Sequence, residues 1–184
     1  MNSLKGSFLL AMPQLEDPHF GGSLTYLCEH SDEGALGLIV NKPLDMTLAD
    51  LLEQMSLPCP REVTSLQPVY RGGPVHSDRG FVLHTGAPEW KSSLAVNEAL
   101  SLTTSADILE ALSVGQGPSQ YLVMLGCAGW ESQQLEAEIK ANAWLTCAAE
   151  QAILFEVPTA ERLTAAAASL GVDLSTLSAV AGHA

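Results

Sequence analysis

Along the first half of this chain, short apolar runs alternate with turn chemistry, and helical spacing enters only between them. Residues 7–12 predict a strand closed by Pro13. Asp17-Pro18-His19-Phe20-Gly21-Gly22 is a turn. Residues 24–29 alternate and carry β-formers, which predicts a second strand. A turn over 31–34 leads to a third at 35–41, apolar throughout, as in a strand buried on both faces. Thr47 is placed to cap a helix, with Asp50 three residues on and Leu48, Leu51, Leu52 and Met55 on one face. That helix must end before Pro58 and Pro60.

Beyond it, 68–71 and 80–84 predict two strands around a Gly-Gly-Pro turn, and 92–102 strand and turn. Thr104 opens a helix to about Val114, stopped by Gly115 and Gly117-Pro118. Residues 121–125 form a strong apolar strand. Trp130 to about Asn142 reads as a helix with Leu135 and Ile139 inward, and 152–157 as a further strand. Pro158 starts a helix that Ala165–Ala168 continue and Gly171 closes, and Asp173 caps a short last one. Strands in a run, without regular β-α-β alternation, indicate an α+β fold in a single domain spanning 1–184.

Composition narrows the function classes. The chain has 184 residues, 47% apolar and 16% charged, a globular balance. Its 21 acids and 8 bases give a net charge of −13. Beyond residue 91 only Lys140 and Arg162 are basic. Nucleic-acid binding draws on clustered Lys and Arg, so direct binding to DNA is disfavoured. No window approaches a membrane span, and the apolar run 8–12 is too short for an export signal, so a cytoplasmic location is expected. Cys28, Cys59, Cys127 and Cys147 are far apart, with no CxxC spacing, so neither zinc nor a disulfide is expected.

Three segments carry candidate chemistry. Leu125-Gly126-Cys127-Ala128-Gly129-Trp130-Glu131 reads as a strand, a Gly-rich turn and a helix start. It lacks the basic residue of an anion cradle and the G-x-S-x-G spacing of a nucleophile elbow, which leaves a tight packing turn. The segment 72–84 gathers Asp78, Arg79 and His84 in a loop and the strand it enters, with Arg71 placed to face Arg79. Arg79 is expected to bridge Asp78 and loop carbonyls. Glu29 and His30, with Asn41 at the end of the next strand, are placed to converge for acid–base or binding work, though the same His30 also suits a hairpin end.

Taken in order, several segments resemble one family. They include Phe8-Leu9-Leu10-Ala11-Met12-Pro13, Cys28-Glu29-His30, Gly72-Gly73-Pro74, Asp78-Arg79-Gly80-Phe81 with Leu83-His84, Asn142-Ala143-Trp144-Leu145 and Ala181-Gly182-His183-Ala184. The chain is identified as a member of the AlgH/YqgE family of bacterial proteins. The resemblance implies a strongly bent, mostly antiparallel β-sheet forming a pseudo-barrel surrounded by helices. Some members carry the label of transcriptional regulator, but no biochemical activity, cofactor or catalytic residue comes with the resemblance. Cys127 stands where relatives typically have Tyr, which speaks against a shared nucleophile there. The leading expectation is a regulatory or interaction protein binding a small ligand or a protein partner through Glu29, His30, Asn41, Asp78, Arg79 and His84. The alternatives are an enzyme of hydrolase or transferase type using His30, Asp78, Arg79 or His84, and a regulator acting on DNA directly.

Overall fold

A computed structural model describes residues 3–59 and 66–176. Pro60 and the terminal motif at 181–184 lie outside them. Among the described residues ten strands form one sheet: β1 (Ser7–Ala11), β2 (Leu24–Ser31), β3 (Gly34–Ile39), β4 (Pro43–Thr47), β5 (Pro68–Arg71), β6 (Val75–Thr85), β7 (Ser93–Ala95), β8 (Leu100–Thr103), β9 (Tyr121–Glu131) and β10 (Trp144–Ala148). Its main path runs β10-β1-β2-β3-β9-β6-β8-β7, antiparallel throughout, while β5 lies parallel to β9 and carries β4. The α-helices among the described residues include α1 (Leu48–Gln54), α2 (Asp107–Ser113), α3 (Gln134–Lys140), α4 (Gln151–Phe155) and α5 (Arg162–Ser169), the last entered through a 3₁₀ turn at Thr159–Glu161.

The curvature originates at β9. One edge of β9 pairs with β6, from Tyr121 to Cys127. Its other edge pairs first with β5, at Met124 and Leu125, and then with β3, from Ala128 to Glu131. The exchange of partners falls at Gly126, whose φ is +81°. A Cβ there would lie 2.4 Å from the Gly73 carbonyl, and one on Gly72 would lie 2.3 Å from the Gly126 carbonyl. Only glycine at both places lets the backbones cross so closely. The sequence-based turn and helix start at 126–131 are therefore a continued strand, and α3 begins only at Gln134, after Gln133 in the left-handed region. Leu135 is buried and Ile139 packs beside it, as the helical spacing requires.

Two further expectations change. The run at 152–157 is helix as far as Phe155 and no strand, because a short apolar run carries no periodicity that separates strand from helix. The edge strand beside β1 is supplied instead by β10. Thr104 does not cap α2, which starts after Ala106. Thr47 does cap α1, and Asp50 closes the reciprocal capping box.

Three apolar clusters fill the fold. The largest, around Phe8, Tyr26, Leu38, Tyr70, Leu83 and Met124, is closed by Ile153 and Leu154 of α4 and Ala166 and Ala167 of α5. The second packs α1 and α2 on Val69, Val82 and Val123. The third joins Leu9, Leu27 and Leu135 to the edge-to-face pair Trp130 and Trp144.

Candidate functional site

The residues singled out from the sequence do not assemble into one site. Asn41 lies beside Leu24, at the opposite end of the β2–β3 hairpin from His30, because antiparallel pairing sets His30 against Ala35 and Thr25 against Ile39. Its side chain accepts from the Leu24 N–H and donates to the Gly22 carbonyl, which pins the entry to β2. Glu29 is exposed. His30 is buried. The Leu4 N–H donates to its Nδ1 (2.8 Å), so the ring proton sits on Nε2 and points to Glu136 Oε1 at 3.1 Å. His30 thereby ties residues before β1 to α3. Glu29 and His30 line one cavity of about 480 Å³ with Lys5, Glu33 and Trp130.

Asp78 and Arg79 lie where the β6–β9 register shifts between Val75 and Gly80, and both are exposed. Arg79 does not bridge Asp78 and loop carbonyls. It reaches Thr104 Oγ1 at 3.4 Å and lies over the Phe81 ring at 5.6 Å. Arg71 sits across β9 from it, each strand flanking Leu125, so the two cations do not share a face of one turn.

His84, farther along β6, is fully buried. Its Nδ1 donates to the Thr85 carbonyl (2.8 Å), which leaves Nε2 to accept from Thr103 Oγ1 at 2.7 Å. Thr103 in turn meets Ser93 Oγ at 2.7 Å. Burial lowers the His84 pKa from its ordinary value. The Thr103–His84 pair resembles a nucleophile and its base, but both side chains are buried. Cys127 is likewise buried within β9, and burial pushes its thiol pKa up, away from the reactive thiolate.

Other side chains, from distant parts of the chain, converge elsewhere. Between β5, the start of β9 and the segment from α4 to α5 lies a cavity of about 380 Å³. Gln67, Pro68 and Tyr70 come from β5 and the residues before it. Ser119, Gln120, Tyr121 and Leu122 come from the entry to β9. Phe155 to Thr159 and Arg162 come from the C-terminal segment. Arg162 is 5% exposed. Its Nη1 donates to the Val40 carbonyl (2.6 Å) and its Nε to the Val157 carbonyl (3.1 Å), and its guanidinium lies 5.1 Å from the Tyr70 ring centroid. The Tyr70 hydroxyl meets Thr159 Oγ1 at 2.9 Å. Among the described residues, no carboxylate comes within 4.0 Å of the guanidinium, and Nη2 has no protein hydrogen-bond partner.

The AlgH-like family model matches residues 8–175. The chain belongs to the AlgH-like family. A UPF0301 protein of Chromohalobacter salexigens is 53% identical over 184 residues, covering 100% of both chains. Another, from Nitrosospira multiformis, is 54% identical over 177 residues, covering 96% of this chain and 95% of its own. The solution structure of the AlgH protein from Pseudomonas aeruginosa superposes with a TM-score of 0.81 at 50% identity, covering 97% of this chain and 94% of that one. A Corynebacterium diphtheriae protein shares the fold alone, at 19% identity and a TM-score of 0.76, with 97% and 92% covered. The AlgH-like fold is thus α+β, with a curled, mostly antiparallel sheet and helices packed around it. No helix among the described residues is long and apolar enough to cross a membrane.

Arg162 escapes a reading of the sequence that looks for pairs and motifs. The signal it does carry is its isolation. It is one of two bases beyond residue 91 and opens an otherwise Ala-rich helix.

Proposed function

We propose that this AlgH-like protein is a small-ligand-binding protein of regulatory type, and that its ligand enters the cavity bounded by Tyr70, Tyr121, Phe155 and Arg162. The observation that carries this reading is the convergence there of aromatic, hydroxyl, amide and guanidinium groups from three distant parts of the chain. The cavity wall mixes apolar surface with polar groups able to fix a ligand's orientation, as concave small-molecule sites require. Enzyme chemistry has less support, because His30, Asp78, Arg79 and His84 are dispersed and two of them are consumed by internal hydrogen bonds. Direct regulation through duplex DNA is disfavoured by the net charge of −13 and by the burial of Arg162.

A thermal-shift screen against metabolites and nucleotides tests the reading, since a ligand that prefers the folded state raises Tm. Ser119 is exposed at the cavity wall, so Ser119→Trp should fill the space without disturbing the core. The expected result is a stabilising ligand whose effect disappears in Ser119→Trp. A ligand that stabilises both proteins equally binds elsewhere and overturns the assignment.

A further inference from the structure

We infer that the cavity takes an oxyanion, a carboxylate or a phosphate, carried on a planar ring. The inference rests on the cavity being the ligand site and names the chemistry of its occupant. Arg162 is a permanent cation, nine-tenths removed from water. Its partners among the described residues are two neutral carbonyls and a ring face, none of which compensates its charge. Buried charges are ordinarily paired, and among the described residues no Asp or Glu is used for the purpose. Glu156, the one carboxylate of the cavity wall, is exposed and forms no ion pair with Arg162.

The geometry suits an anion in two further ways. A guanidinium held at Nε and Nη1 presents Nη2 as a fixed donor, and rigid Arg donors match carboxylate and phosphate oxygens. In the Tyr70–Thr159 pair only one hydroxyl donates to the other, so one O–H remains for an added acceptor. The rings of Tyr121 and Phe155, with Pro158, supply flat apolar wall for the ring of a ligand. The net charge of −13 repels anions only at range, and salt screens that field beyond about 8 Å at physiological ionic strength.

Isothermal titration with isosteric probes decides the matter. Benzoate and phenyl phosphate supply the two anion sources, inorganic phosphate supplies the anion without the ring, and benzamide is the neutral match. At least one aromatic anion should bind about tenfold or more tighter than benzamide. It should also bind tighter than inorganic phosphate, and the preference over benzamide should vanish in Arg162→Gln. The tighter aromatic anion identifies the source. Benzamide binding as well as the anions, with all of them lost in Ser119→Trp, overturns the anion inference and leaves the cavity assignment standing. Heat from none of the probes at millimolar concentration, or anion binding that Ser119→Trp does not affect, overturns both. Should Arg162→Gln fail to fold, the comparison of both aromatic anions with benzamide on the unaltered protein still decides.

Discussion

Gly126 and Gly129 stand three residues apart on β9, and the structure assigns them opposite responses to the same substitution. At Gly126 an alanine would need a left-handed φ of +81°, which costs an L-residue about 1–2 kcal/mol. Its Cβ would also lie 2.4 Å from the Gly73 carbonyl and 3.3 Å from the Val75 carbonyl. Those are backbone atoms, held by pairing on both sides, and relief by backbone shift costs about 1–3 kcal/mol more. Gly126→Ala should therefore destabilise by about 3 kcal/mol, a Tm drop of roughly 10 °C in a chain of this size. At Gly129 nothing lies within 4 Å of the place an added methyl would occupy and φ is not positive, so alanine only restricts the unfolded chain. Gly129→Ala should be neutral or stabilising by about 0.5 kcal/mol. Urea unfolding followed by tryptophan fluorescence reads both, since Trp130 and Trp144 are buried and adjacent. Equal destabilisation by the two substitutions would mean that 126–129 is a turn, and would refute the continuous, bent β9.

Asn41→Ala should cost about 1–3 kcal/mol in the same assay, because it strands the Leu24 N–H and the Gly22 carbonyl, whereas exposed Arg79→Ala should cost under about 1 kcal/mol. Burial lowers the His84 pKa, so its contribution to stability is complete above about pH 6.5 and is lost as the pH falls through the lower folded-state value. Unfolding free energy should accordingly drop more steeply between about pH 7 and pH 5 in the unaltered protein than in His84→Phe, and parallel curves would contradict this. Under native conditions a thiol reagent should modify exposed Cys59 first and leave buried Cys28 and Cys127 untouched until unfolding, as mass spectrometry of the labelled peptides would show.

Much of the fold is legible in the chain because local rules govern it. The capping box at Thr47, the apolar runs of β1, β2, β3 and the first half of β9, and the left-handed Gly171 after α5 all follow from residues within a few positions. What is not legible depends on partners distant in sequence. Gly126 resembles a turn until Gly73 is seen against it, and 152–157 resembles a strand until β10 takes the edge of β1. The candidate site is less legible for the same reason. Asn41 and His30 look adjacent to a reader who sets strand ends together, yet the antiparallel register separates them. Arg162 reaches the Val40 carbonyl across 122 positions, and no local pattern marks that contact.

The most direct test of the ligand-binding account is a ¹H–¹⁵N spectrum of the protein titrated with benzoate and with phenyl phosphate, including the arginine Nε–H region. Shifts should concentrate on Tyr70, Ser119 to Leu122, Phe155 to Val157, Thr159 and the Arg162 Nε–H, which lies against the cavity and is held by Val157. Shifts centred instead on His30 or on Asp78 and Arg79, with the Arg162 resonance unmoved, would contradict it.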